Sequence, residues 1–266
     1  MLSRRHEEKQ MRRRLNKEQP LSRLFPNMIT IAGLCCGLSA IRFAIAGRWE
    51  LAVSFILAAA IIDGMDGRVA RMLGATSLFG AQLDSLSDFL CFGVAPVLVM
   101  YLWQLHGIHG FGWAVVLFFA VCTALRLARF NTALYDEKAQ PWQKQFFIGV
   151  PSPAGGILCL LPLIASLQFG EDALLSPALT ACYIVLIGAL MASRIPTFAG
   201  KHMRIKHETI LPFMLLASFL LVLFVIEPWL SLVVAGVFYL LSIPFSVRMW
   251  RRLSASTPES SASTHS

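Results

Sequence analysis

Eight apolar stretches, each close to the length that a helix needs to cross a lipid bilayer, dominate this sequence of 266 residues. A spanning helix requires about 20 mainly apolar residues, and it satisfies its own backbone hydrogen bonds where no water is present. The chain is 56% hydrophobic and only 14% charged, which is typical of an integral membrane protein. The sequence therefore predicts an all-α integral membrane protein with about eight transmembrane helices, at residues 28–47, 50–70, 80–105, 112–131, 150–168, 175–192, 209–226 and 229–248.

The positions of Lys and Arg predict how these helices are oriented. With eight crossings, every Lys and Arg except Arg42 and Arg48 falls on the side of the membrane that holds both termini. The loops on the other side carry acidic residues instead, at Glu50, Glu171, Asp172 and Glu227. Since loops rich in Lys and Arg stay in the cytoplasm, we expect both termini to be cytoplasmic and the protein to be a multi-pass protein of the cell (inner) membrane.

The charge distribution also predicts the domain organisation. Residues 1–25 form a basic cytoplasmic juxtamembrane segment, residues 26–250 a single transmembrane domain, and residues 251–266 a disordered polar tail. A nucleic-acid partner is not expected, because no recognisable binding module accompanies the basic N-terminus. A cleaved signal peptide over residues 1–46 is disfavoured, since Arg42 interrupts the expected cleavage region.

Four aspartates lie inside this apolar sequence, at Asp63, Asp66, Asp84 and Asp88. Asp63 and Asp66 are three residues apart, and Asp84 and Asp88 are four apart, so each pair shares one face of its helix. Asp63 lies about 20 Å along its helix from Glu50, which places it in the cytoplasmic third of the bilayer. Ionised acids at such a depth are costly and mark function by default. Two divalent cations would balance the four negative charges, and an all-oxygen ligand set favours Mg²⁺ or Mn²⁺.

The aspartates belong to a longer pattern, D-x-x-D-G-x-x-A-R, then eight residues, then G-x-x-x-D-x-x-x-D. At every fixed position this pattern resembles the signature of the CDP-alcohol phosphotransferases, membrane enzymes that transfer a substituted phosphate from a CDP-linked donor to an alcohol. The resemblance implies the fold of that family and a homodimer. The alternative is that the acids are structural and pair with Arg68 and Arg71, which would leave at least two of them unpaired.

The resemblance also implies roles for individual residues. Asp63, Asp66 and Asp84 would bind the first metal ion and the donor pyrophosphate. Asp88 would join the second metal ion and act as the catalytic general base. Contacts to the donor, CDP-diacylglycerol, are implied for a further set: Pro26, Asn27, Met28, Ile29, Gly67, Arg71, Ser77 and Gly80. The segment from Pro26 to Ile29 also reads as a simple helix start, with Pro followed by an Asn cap.

Two further motifs concern the acceptor alcohol. They are RLARFN, from Arg126 to Asn131, and FIGVPSPAGG, from Phe147 to Gly156. Together with PNMIT at Pro26–Thr30 and DSLSDFLCFGVAP at Asp84–Pro96, they resemble the phosphatidylserine synthases of this superfamily. The resemblance implies L-serine as acceptor. A zwitterion needs a cation for its carboxylate, which Arg126 or Arg129 could supply, with Asn131 and Ser152 as polar helpers. Both arginines could equally be anchors at the inner membrane surface.

Other functions stay open at this point. Choline or inositol could replace serine in the same chemistry. Acids inside helices also mark ion pathways, so a divalent-cation transporter is an alternative from a different class. A catalytically silent homologue that binds lipid is a third.

Overall fold

The computed structural model describes residues 24–74, 77–133, 146–170, 176–193, 196–198 and 210–255. Each of the eight predicted stretches corresponds to one helix or to a contiguous group of helices. The helices are α1 Leu24–Ile45, α2 Trp49–Met72, α3 Leu78–Asp88, α4 Ala95–Trp103, α5 Gly110–Ala133, α6 Ser152–Cys159, α7 Leu161–Phe169, α8 Pro177–Ala192, α9 Ile210–Ile226 and α10 Pro228–Ala255. A π-helical turn, Phe89–Val94, joins α3 to α4, and a short 3₁₀ turn, Leu105–Ile108, follows α4.

Four helical segments of the described ranges are long and apolar enough to cross a membrane unaided: Phe25–Ile45, Leu78–Trp103, Gly110–Thr132 and Pro228–Met249. The pair α6 and α7 meets the same requirement jointly, with a bend of 45° between them. Helix α8 and the segment Met214–Ile226 of α9 are apolar but shorter. The prediction of a helical membrane protein is thus confirmed with four or five apolar spans, and the number eight stays a prediction.

Proline explains the break in the fifth predicted stretch. Pro162 is the second residue of α7. It has no N–H to donate, and its ring collides with the carbonyl four residues earlier, so a straight helix cannot continue through it. Pro177 instead begins α8, where the Ser176 hydroxyl accepts a hydrogen bond from the Leu179 N–H. A helix start tolerates proline because its N–H would lack a helical partner anyway.

Within the described ranges, the structure departs from the all-α prediction at one place. Two three-residue strands, β1 Phe146–Ile148 and β2 Pro196–Phe198, pair antiparallel with Phe147 opposite Thr197. They join the segment before α6 to the segment after α8. Strands this short carry no alternating pattern that a sequence could reveal.

The ends of the chain bear on the predicted domain limits. Helix α10 runs to Ala255, so residues 251–255 of the predicted polar tail are helical. The remainder of that tail, the first 23 residues, and most of the two basic loops at residues 134–145 and 199–209 lie outside the described residues.

Glycines let two helices press on the π-turn. A Cβ atom on Gly37 of α1 would lie 2.6 Å from the Cys91 sulfur. A Cβ atom on Gly93 would lie 2.9 Å from the Thr123 side chain of α5. The buried core continues from there through α4, α5 and α6 to α8, with Met100 and Phe119 fully buried. The acidic end of α3 is therefore continuous with a close-packed part of the core.

Candidate active site

Three of the four aspartates meet at one point between α2 and α3. Asp63, Asp66 and Asp84 each offer a carboxylate oxygen, and these atoms all lie within 4.8 Å of one another. Asp66 is 5% exposed, while Asp63 and Asp84 are half-buried. The carboxylates of Asp66 and Asp63 are close enough to Asp84 to repel its negative charge. Three oxygens converging from two helices could hold one hard divalent cation.

Asp88 lies beside this cluster, one helical turn after Asp84. Its side chain is within hydrogen-bonding reach of Asp63. Among the described residues its buried Oδ1 atom has no hydrogen-bond partner. A buried acceptor without a partner is rare in folded proteins and calls for a proton, a ligand or an ion. The predicted quartet is therefore assembled as three clustered acids plus one adjacent acid.

The alternative that the acids are structural and pair with Arg68 and Arg71 is not supported by the positions of these arginines. Arg71 is exposed, and its Nε donates to the Gly67 carbonyl of its own helix at 3.0 Å. Arg68 is exposed as well. In the part of the chain that the structure describes, the arginine that interacts with the quartet is Arg126 of α5, through Asp88. One arginine cannot balance four carboxylates.

Helix α1 contacts the metal-ligand face of α2 through a hydrogen bond that sequence reasoning did not predict. The Thr30 hydroxyl donates to Asp66 Oδ2 at 2.7 Å. From α3 and the π-turn, Ser87 Oγ donates to the Thr30 carbonyl at 3.4 Å and Cys91 Sγ to the Gly33 carbonyl at 3.3 Å. These bonds fix α1 against both acidic helices. Thr30 is the last residue of the PNMIT motif, but that motif alone does not predict its bond to Asp66.

Several of the predicted donor-binding residues adjoin the acids. Ser77 caps α3, and its Oγ accepts from the Gly80 N–H at 3.0 Å. A Cβ atom on Gly80 would lie 3.0 Å from Asn27 Oδ1, so the start of α1 approaches the start of α3 closely. Gly67 and Arg71 lie together on the last turns of α2. Of the other predicted α1 residues, Pro26 is buried, Ile29 is partly buried and Met28 is 65% exposed.

The residues predicted to bind the acceptor alcohol do not all contact one another. Arg126 donates through Nη1 to the hydroxyl of Ser152, which is fully buried at the start of α6. Asn131 donates to Ser85 Oγ at 2.9 Å, next to Asp84. Arg129 is directed elsewhere, and its Nη1 donates to the Ala192 carbonyl at the end of α8 at 2.8 Å.

One residue near this group was missed by sequence reasoning. Tyr239 of α10 lies close enough to the Arg126 guanidinium for an electrostatic interaction. It is more than a hundred residues away along the chain, in a helix of general apolar character. No local pattern could have connected it with Arg126.

Comparison with known proteins agrees with the motif. Residues 23–248 match the sequence model of the CDP-alcohol phosphatidyltransferase family. The chain is 40% identical over 243 residues to the CDP-diacylglycerol–serine O-phosphatidyltransferase of Mycobacterium tuberculosis (strain ATCC 25618 / H37Rv), which is 89% of this chain and 82% of that protein. For the protein of the same name from Mycobacterium leprae, the identity is 38% over 233 residues, 87% and 77% of the two chains. For that from Helicobacter pylori (strain ATCC 700392 / 26695), it is 36% over 185 residues, 69% and 76%.

The hydrogen bond from Thr30 predicts a selective effect on metal affinity. Thr30→Val keeps the shape of the side chain but leaves Asp66 Oδ2 without its donor, and Thr30→Ser keeps the donor. Loss of a bond that orients a metal ligand costs about 10- to 100-fold in affinity. We expect that loss in Thr30→Val and near-native affinity in Thr30→Ser, measured as Mn²⁺ binding by electron paramagnetic resonance. Equal affinities in the two variants would contradict the role of Thr30.

Proposed function

The chain belongs to the CDP-alcohol phosphatidyltransferase family, and from this membership and the geometry of its acid cluster we propose that it is a CDP-diacylglycerol–serine O-phosphatidyltransferase. It transfers the phosphatidyl group of CDP-diacylglycerol to L-serine and releases phosphatidylserine and CMP in phospholipid biosynthesis. One observation carries this proposal. The clustered acids Asp63, Asp66 and Asp84 adjoin Asp88, which in turn faces an arginine bonded to a buried serine.

The acids of α2 and α3 fit divalent cations. Asp63, Asp66 and Asp84 would hold the first ion, and Asp88, with its unpartnered buried oxygen, would contribute to the second. The side chains of these four acids offer only oxygen ligands, which favours Mg²⁺ or Mn²⁺ over zinc. When bound, two such ions would offset the charge of the donor pyrophosphate and of CMP as it leaves.

The donor is assigned to the surface around the starts of α1 and α3 and the end of α2. The proximity of Asn27 to Gly80 and the cap formed by Ser77 support this assignment, because they bring small and polar groups to one place. A nucleotide can approach the backbone closely where glycine removes the side chain. The donor contacts proposed are Pro26, Asn27, Met28, Ile29, Gly67, Arg71, Ser77 and Gly80.

Asp88 is assigned as general base. It follows the metal ligand Asp84 by one turn on the same helix face, and a carboxylate in that position can take a proton from a hydroxyl in front of it. The hydroxyl oxygen of serine attacks the phosphorus of the phosphatidyl group, and its proton passes to Asp88. The bond from that phosphorus to the oxygen of CMP breaks in the same displacement.

The acceptor is assigned to the space in front of Arg126. Its guanidinium has a buried Nε without a partner among the described residues, so it retains a donor for a carboxylate. Ser152, which is bonded to Arg126, and Asn131, which is bonded to Ser85 next to Asp84, would supply polar oxygens for the ammonium group. Arg129 is left out of the proposed pocket, because its Nη1 is bonded to the end of α8.

The arrangement in the membrane forms part of the same proposal. Eight crossings, cytoplasmic termini and an active site open to the cytoplasm of the inner membrane are supported by the segregation of Lys and Arg. The division into a basic segment 1–25, a catalytic domain 26–250 and a polar tail is kept, with the first residues of the tail helical. A homodimer rests on the family resemblance.

A transporter is not supported by the distribution of acids. Helices α4 to α10 contain no Asp or Glu. Apart from Glu50 at the far end of α2, the acids in the described helices are the four at the site. An ion pathway across the bilayer would need polar groups along its depth.

The choice of acceptor is tested directly on the purified protein. With labelled CDP-diacylglycerol and Mg²⁺ or Mn²⁺, we expect CMP and labelled phosphatidylserine to form only when L-serine is added, and EDTA to stop the reaction. Choline and myo-inositol serve as matched alternatives. Equal CMP release with either of these would reject serine as the acceptor, and metal flux into vesicles without CMP release would favour a transporter.

The base assignment predicts different losses at Asp88 and Asp66. Asp88→Asn should reduce turnover by about 100-fold or more, since general-base contributions reach about 10²–10⁴, while CDP-diacylglycerol binding partly survives. Asp66→Asn removes an oxygen ligand and should weaken Mn²⁺ and nucleotide binding together. Turnover and binding are measured separately on each variant, and native turnover in Asp88→Asn would refute the base role.

The two arginines predict a contrast on conversion to lysine. Arg126 donates to the Ser152 hydroxyl and also interacts with the Asp88 carboxylate. A planar guanidinium can bind two such groups at once in a fixed geometry, and the ammonium of lysine cannot replace it. Arg126→Lys should therefore raise the KM for serine by about 10-fold or more. Arg129→Lys should change it little, because a single bond to a carbonyl is within the reach of lysine. A larger effect at Arg129 than at Arg126 would overturn the assignment.

A further inference from the structure

The segment from Gly149 to Gly156 carries Ser152 and is inserted between two other parts of the fold. On one side lies the carbonyl end of α8, and on the other lies the π-turn that follows Asp88. Glycines form both contacts. The contacts have no role in the chemistry proposed above, but they determine where Ser152 can be.

Gly149 is pressed against the end of α8. Its φ angle is +79°, a conformation that side chains disfavour, and a Cβ atom would lie 2.7 Å from the Met191 carbonyl oxygen and 3.0 Å from that of Ser193. Both neighbours are backbone atoms at a helix end and cannot swing aside. The turn that leads into α6 therefore reaches this position only with glycine.

Gly155 and Gly156 face different neighbours although they are adjacent. A Cβ atom on Gly155 would overlap the flexible side chain of Met191. A Cβ atom on Gly156 would lie 3.0 Å from the Cα and 3.1 Å from the carbonyl oxygen of Phe92, in the backbone of the π-turn. A methionine side chain can adjust, whereas the backbone of Phe92 is continuous with Asp88.

These contacts close a ring around the proposed acceptor site. From α5, Arg126 bonds to Ser152 of α6, and α6 touches the π-turn through Gly156. The π-turn returns to α5 through the contact of Gly93 with Thr123, one turn before Arg126. Asp88 is the residue that immediately precedes the π-turn, so the ring determines its position relative to Arg126.

We propose that Gly149 and Gly156 are positioning residues that hold Ser152, and through it Arg126, at the working distance from Asp88. The inference rests on the proposed function, because it concerns the alcohol that those groups orient. A Cβ atom at Gly156 would push α6 away from the π-turn by a few tenths of an ångström. The acceptor hydroxyl must approach phosphorus within a near-attack geometry, to which rate is sensitive on this scale.

Alanine at the two adjacent glycines provides the test, in the full-length protein in detergent or lipid nanodiscs. Both changes are Gly→Ala within α6, so the gain in helix propensity is the same. Gly156→Ala should lower kcat/KM for serine about 10-fold, since small misplacements of reacting groups are costly. Gly155→Ala should change it less than about 2-fold, because the displaced neighbour is the side chain of Met191 and not the π-turn. Met191 is fully buried, so the cost of repacking it should appear in stability and not in serine kinetics. The KM for CDP-diacylglycerol and Mn²⁺ binding should stay native in both.

A second pair of variants gives an independent test. Gly170 has nearly the same φ angle, +80°, but a Cβ atom there meets nothing within 4 Å. Gly149→Ala and Gly170→Ala thus place alanine at nearly the same unfavourable φ angle. Only Gly149→Ala also collides with the end of α8. We expect a loss of serine kcat/KM of at least about 10-fold for Gly149→Ala and native kinetics for Gly170→Ala.

The outcomes separate this inference from the proposed function. Similar serine kinetics within each pair would overturn the positioning role, as would a parallel loss of Mn²⁺ or CDP-diacylglycerol binding in Gly156→Ala and Gly149→Ala, since the glycines would then support the whole fold. A wild-type protein that uses another alcohol would reject serine, and the same pairs would then be compared with that alcohol. If no alcohol releases CMP, there is no acceptor to position and both ideas fail.

Discussion

Negative charge within apolar helices is the constraint on which the rest of this structure depends. Four carboxylates belong to two neighbouring helices, and three of them converge within 4.8 Å. Like charges at that separation repel strongly where water cannot screen them. The arrangement is stable only if bound cations or protons offset this charge. A fold that kept the acids apart would have less electrostatic repulsion to overcome. Their convergence therefore indicates that they bind positively charged ligands.

Holding the acids together requires rigid support, and close backbone contacts supply much of it. Helix α1 reaches both acidic helices through Thr30, Ser87 and Cys91. The glycine contacts of the π-turn extend this support to α5 and α6. Because packed interiors transmit displacement rather than absorb it, the distance between the acids and the arginine of α5 is a property of the whole bundle.

The two halves of the site differ in how far they could be predicted. The acid half is contiguous in sequence and regular in spacing, so helix geometry alone brought Asp63 and Asp66, and then Asp84 and Asp88, onto common faces. Arg126 and Ser152 were named from a motif, yet their bond to each other could not be derived from spacing. Arg129 was an equal candidate until its bond to Ala192 was seen. Tyr239 was not identified at all, since only tertiary packing brings α10 to Arg126.

Most of the fold followed from the lengths of the apolar stretches, and the departures have physical causes. The break between α6 and α7 was foreseeable from Pro162, although the angle of 45° was not. The paired strands β1 and β2 were beyond prediction, because three residues are too few to show a period. The π-turn was equally hidden, since its six residues read as ordinary apolar helix.

That π-turn allows a single continuous helix to serve two purposes. A π-helical turn accommodates one residue more than regular α-helix does over the same length, and each residue turns an α-helix by about 100°. The direction of the acidic face around the helix axis, before Phe89, is thus independent of the direction of the core face after it. That core face carries the buried Val97, Val99 and Met100. Removing one residue from the turn would rotate the core face relative to the acids, so residue number in this short stretch is constrained as strictly as residue identity.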